Sequence, residues 1–116
     1  MWGIGASGGV AVWVGVVERL QRGETVEVRP TGSSMAPIIK SRQLVRLESV
    51  DGAGVGKGDV VLAKVGGRFY LHLVRTVRGD RVQISNNRGH VNGWTSRDRV
   101  YGVVTMVDGA PVTRRE

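Results

Sequence analysis

Apolar positions along this 116-residue chain follow two periods, and the change comes at Gly23. Ahead of it Val10, Trp13, Val14, Val17 and Leu20 recur every three or four residues, the spacing that lines one face of a helix. The pattern predicts an amphipathic helix from about Gly9 to Arg22, with Glu18 and Arg22 one turn apart and Gly23 as its stop. Beyond Gly23 the runs are short and alternating. In Glu24–Arg29 the valines 26 and 28 take one side and Glu27 and Arg29 the other, a strand ended by Pro30. Gln43–Glu48 reads as a second strand, and Asp59–Val65 as a third that is apolar enough to be buried on both faces. Gly66-Gly67 predicts a two-residue hairpin turn into Arg68–Val77, and Gly79-Asp80 turns the chain again into Arg81–Ser85. Asn86–Trp94 reads as a polar loop, Asp51–Gly58 as a glycine-rich one, and Arg99–Val107 as the closing strand. The expected fold is mainly β: a small, partly open antiparallel barrel or folded sheet with one N-terminal helix.

Composition sharpens this picture in three places. Length argues for one domain, divided into an apolar segment 1–23, a β domain 24–110 and a tail 111–116. The chain has no Cys, which rules out disulfides, thiolate metal sites and a cysteine nucleophile, and fits a reducing, cytoplasmic setting. Net charge is +7, a balance that would suit nucleic acid or an anionic membrane surface. The arginines are spread along the chain and only six residues are aromatic, so no arm or stacking platform stands out.

Residues 2–17 are uncharged and contain five glycines. That is shorter than the roughly 20 residues of a spanning helix, and no early Lys or Arg marks a signal peptide. Docking on the domain, contact with lipid and a disordered start are the competing readings. An apolar helix left over on a small domain would also suit a homodimer.

The candidate chemistry is concentrated in Gly32-Ser33-Ser34-Met35-Ala36-Pro37 and in His72. Serine needs an adjacent base to become a nucleophile, and histidine is the side chain suited to that task near neutral pH. Gly32 permits a tight turn ahead of Ser34, and Met35–Ile39 can form one helical turn whose free N–H groups, with that of Ser34, would hold an oxyanion. On local grounds Ser33 and Ser34 as caps of that turn is the commoner role. His72 is expected on one strand face with Tyr70, Val74 and Thr76, and His90 is its only competitor. No His or carboxylate cluster accompanies them, so neither a metal nor another cofactor is expected.

The order of these features resembles a known superfamily. Gly32–Pro37 is similar to the Gly-x-Ser-Met-x-Pro nucleophile box of LexA-type repressor peptidases and type I signal peptidases. Gln43-Leu44-Val45 resembles the strand after that box, with Arg42-Gln43 where these families carry Gly-Asp. Gly58-Asp59-Val60-Val61 resembles the Gly-Asp-Ile-Val box that opens the hairpin to the general base, and His72 stands where one branch has Lys and the endoplasmic-reticulum and archaeal branch has His. Ile84–Gly89 and Val100–Val104 are similar to the later elements, so the resemblance spans roughly residues 24–107. It implies a serine endopeptidase acting through an acyl-enzyme. Ser34 would be the nucleophile, His72 the base, and Gly32 and the Ser34 backbone the oxyanion support.

The His branch supplies an Asp to orient the imidazole; the matching residues here are Asn86 or Asn87, with Asn92 further on, and Asn86 is the first choice. Asp59 or Asp98 would serve if the fold brought either close. The peptide substrate is expected to add as a strand along an exposed edge near Gln43–Glu48 or the Tyr70 strand, and the resemblance implies a small residue before the scissile bond. Neither a helix-turn-helix domain nor an Ala-Gly pair ahead of Ser34 is present; the single Ala-Gly is Ala53-Gly54. The other functional class is therefore a weak or inactive regulator of the phage-repressor kind, without a DNA-binding half. A basic nucleic-acid-binding barrel is the third reading.

Overall fold

The computed structural model describes residues 10–51 and 54–112. The first nine residues, Ala53 of the Ala-Gly pair and the tail from residue 113 lie outside them. Helix α1 spans Val10–Gln21. Eight strands follow: β1 Val26–Val28, β2 Val45–Ser49, β3 Val60–Val65, β4 Arg68–Arg78, β5 Arg81–Ser85, β6 Val91–Ser96, β7 Val100–Val107 and β8 Ala110–Pro111. They form one antiparallel sheet in the order β1-β2-β7-β3-β4-β5-β6, with β8 folded back on the end of β7.

The sheet is folded rather than closed: β1 and β6 are its edges, and no ladder joins them among the described residues. Its far end curls inward all the same. Thr95 of β6 donates its hydroxyl to the carbonyl of Lys64 at the end of β3, across 2.7 Å.

The helix is where the pattern placed it, with a shifted stripe. Trp13, Val16, Val17 and Leu20 are buried, while Val14 points to solvent. The stripe follows the face that meets the sheet, where Leu20 is fully enclosed with Leu47, Leu62 and Val104. Gly23 ends the helix at φ +84°, and the N–H groups of Gly23 and Glu24 donate back to Leu20 and Arg19. These are the two backbone bonds of a Schellman stop. Arg22 pairs with Glu24 rather than Glu18, because the stop brings Glu24 back under the last turn, where it also meets Arg19.

Alternation in β3 and β4 divides the core into two layers. Val60, Leu62, Phe69 and Leu71 pack under the helix. Val61, Ala63, Tyr70 and Val74 face the opposite side with Val82, Ile84 and Val103. Burying both faces requires the apolar run Val60–Ala63 of β3, as expected.

Three expectations need correction. Asn86–Trp94 is not all loop: residues from Val91 onward pair with β5 as β6. Met35–Ile39 is a series of turns with one bond from the Ile39 N–H to the Met35 carbonyl, not a helical segment. Ala36 precedes a proline, which disfavours helical backbone there. Gln43–Glu48 is not an edge either, since β2 lies between β1 and β7. In β4, the ladder to β5 begins at Leu73, so residues 68–72 pair with β3 alone.

Candidate active site

Ser34 sits on the connection between β1 and β2, and its neighbours fix it from both sides. Met35 and Ile39 are fully buried in the core layer beneath the helix and anchor the turn. Gly32 adopts φ +119°, a conformation open to glycine, and its N–H donates to Ser41 Oγ. That amide is therefore engaged within the loop and is not free as an oxyanion donor. The N–H groups of Ser34 and Met35, by contrast, donate to no acceptor among the described residues.

A second clamp comes from the β5–β6 connection. Asn87 donates its backbone N–H to the Ser34 carbonyl and its side-chain amide to the Ala36 carbonyl, both across 2.9 Å. Asn86 holds this connection in shape. Its Oδ1 accepts from the N–H groups of Arg88 and His90 at 2.8 and 2.9 Å, a side-chain-stabilised turn.

His72 lies in the middle of β4, opposite Val61 of β3, with only 1 % of its surface exposed. The Ser34 hydroxyl donates to its Nε2 across 3.1 Å, and its Nδ1–H donates to Asn92 Oδ1 across 2.6 Å. Ser34 is itself buried, and its hydroxyl is spent on the imidazole rather than on capping the turn. The Tyr70 ring packs 5.3 Å from the imidazole at a tilt of 32° and keeps water from that side.

Of the candidate orienting groups, then, the structure brings Asn92 to the ring and not Asn86, which is occupied with Arg88 and His90. Asp59 accepts from the Gly56 N–H, and Asp98 from the Ser96 hydroxyl. His90 is exposed in the 86–90 loop and exchanges its backbone bonds with Asn86.

Asn92 reaches His72 because β6 is irregular at that residue. Gly93 pairs with Ile84 and Val91 with Ser85, so Asn92 is the extra residue of a bulge. Strict alternation would have given it the face of Trp94, opposite to Thr95. The bulge turns it inward instead. A polar, glycine-containing segment reads as loop in sequence, so nothing in the residue pattern distinguished this asparagine from its neighbours. Its spacing becomes informative only once β6 is known to be a strand.

Burial pushes the His72 imidazole down to about 4, since a charged ring would lose its hydration; the Asn92 bond opposes this in part. The ring is neutral at pH 7, with its proton on Nδ1 and a lone pair on Nε2 facing the serine. Such a pair can accept the hydroxyl proton as Oγ attacks an electrophile. Among the described residues the partners of the ring are Ser34 and Asn92, neither of them a carboxylate to balance the imidazolium that would form. An open groove of about 470 Å³ runs nearby, lined by Pro37, Ile38, Gln43, Val60, Val107 and Val112; neither Ser34 nor His72 lines it. The described residues hold no group of side chains able to bind a metal, and none of their helices is long and apolar enough to cross a membrane.

Comparison with protein families, with characterised proteins and with solved structures gives no match.

Proposed function

We propose that this protein is a serine hydrolase, and by its motif order a peptidase of the kind that LexA-type repressors and signal peptidases represent. The observation that carries the reading is the buried 3.1 Å bond from Ser34 Oγ to His72 Nε2, with Nδ1 held by a second side chain. Nucleophile, base and orienting group in that sequence form the arrangement that activates a hydroxyl. Ser34 Oγ attacks the peptide carbonyl and His72 takes its proton. The resulting oxyanion is held by the N–H groups of Ser34 and Met35. His72 then protonates the leaving amine, and water releases the acyl group by the same steps. The segment of β4 before Leu73, paired on one side only, fits a substrate strand better than β2 does.

The test is covalent labelling with a fluorophosphonate. The wild-type chain should be labelled at Ser34, and Ser34→Ala and His72→Ala should abolish the signal while their thermal unfolding stays cooperative. Absence of Ser34-dependent labelling at any pH between 5 and 9 would sink the proposal. One observation favours the second reading, a weak or inactive regulator: the ring is steadied by an amide rather than a carboxylate. Cleavage of peptides, as distinct from labelling by a reactive probe, separates the two.

A further inference from the structure

The positive charge of the chain is concentrated in one region. Residues 60–97 contain seven Lys and Arg and a single acid, Asp80, against a net charge of +7 for the whole chain. The ion pairs among the described residues lie elsewhere: Glu24 takes Arg19 and Arg22, and Glu27 takes Arg46, on the helix side and the β1 edge. Arg75, Arg78, Arg81 and Arg88 are exposed and meet no carboxylate among the described residues.

These four arginines lie along the β4–β5 hairpin and the connection that follows it. Arg78 and Arg81 are cross-strand partners at the hairpin turn, and Gln83 pairs with Trp94 two residues along. Arg78 lies over the Trp94 ring, 5.7 Å from its centroid. Arg75 is the extra residue of a bulge in β4, and its guanidinium lies 4.0 Å from where a Cβ at Gly89 would stand. The hairpin end is thus a polar sheet face bearing the guanidinium groups of Arg78 and Arg81 and one partly exposed indole, with Arg75 and Arg88 exposed further along.

We infer that this face binds single-stranded nucleic acid. Guanidinium groups match phosphate oxygens in a planar, two-point fashion, and bases stack on indole and guanidinium planes alike. Sheet surfaces with an aromatic between basic residues serve this purpose in several unrelated folds. A duplex fits less well, because the face offers neither a helix nor a projecting ribbon for a groove. An acidic peptide would use the arginines but would gain nothing from Trp94. The inference is independent of the peptidase reading.

The experiment is fluorescence anisotropy of the full chain with labelled 15-mers of oligodeoxythymidine and oligouridine, over a range of salt. Binding should weaken with salt at a log–log slope of about −2 to −3, from roughly 0.7 per phosphate contacted. Trp94→Ala should weaken it about 10-fold, whereas Trp94→Phe, which keeps a ring, should lose less. The double change Arg78→Ala with Arg81→Ala should lower the slope by about 1.4. Arg19→Ala, on the helix side, and Ser34→Ala should bind as wild type. Three results would each overturn the inference. These are no binding at low salt, an undiminished affinity in Trp94→Ala, and displacement by polyglutamate or by duplex as effective as by the single strand. A folded Trp94→Phe that binds like wild type keeps the Trp94→Ala result interpretable if that variant unfolds.

Discussion

Asn92 and His72 meet through a bond of 2.6 Å, and the chemistry of the pair turns on the partner being an amide. An amide orients the ring but offers no charge to the imidazolium, so the base remains weak at about 4. Asn92→Asp should raise the His72 pKa and increase Ser34 labelling at pH 7 about 10-fold or more, since the reverse change in a serine protease triad is severely damaging. The rate of labelling against pH reads both effects at once. The wild-type profile should rise through pH 4 and be flat at neutrality; the variant should titrate higher. His72 also fixes how stability depends on pH. Its folded pKa lies below the unfolded value of 6.5, so the unfolded chain binds more protons between the two. Stability should be complete above pH 6.5, fall as pH drops toward 4, and level out below, for a loss of up to about 3 kcal/mol. Urea unfolding of wild type and His72→Gln at pH 4 and pH 7 checks the sign. Ser34 and His72 were singled out by the order of motifs around them, since on local grounds the serine reads as a cap. Asn92 was not, because its role depends on a bulge that no residue type announces.

At the level of elements, the strongly periodic ones were readable and the irregular ones were not. Helix α1 and strands β3 to β5 follow from the apolar spacing and the Gly-Gly and Gly-Asp turns within a residue or two. Strand β6 escaped because Asn92, Gly93 and the preceding Asn86–Gly89 are turn formers, and only pairing to β5 overrides that preference. The buried stripe of α1 takes Val16 in place of Val14 for a similar reason: the sheet, not the helix alone, selects the face. Gly102 of β7 shows how close that contact is. A Cβ there would lie 2.9 Å from a Leu20 methyl and 3.2 Å from the Glu48 carbonyl oxygen. Gly102→Ala should therefore cost about 1–3 kcal/mol by overpacking, seen as a lower thermal midpoint with the β signature of the circular dichroism intact. Labelling of Ser34, on the neighbouring connection, should survive at temperatures well below that midpoint.

For the molecule as a whole, sequence predicted a mainly β fold with one helix and left barrel and folded sheet open. The decision rests on whether the β1 and β6 edges meet, which depends on accumulated twist and on four ladder irregularities rather than on any local preference. The pairing of basic charge with an aromatic was equally hidden, since Arg78 meets Trp94 only when β4, β5 and β6 pair. Strand β6 serves both surfaces at once, sending Asn92 inward to the imidazole and placing Trp94 on the basic face. The bulge makes this double duty depend on chain length rather than residue type. In genetic terms, one codon separates two proteins of the same architecture. Deleting Asn92 should leave a straight strand with its Trp94 face in place and an imidazole with no partner on Nδ1. Loss of labelling alongside retained oligonucleotide binding would be the signature of that frame-preserving lesion.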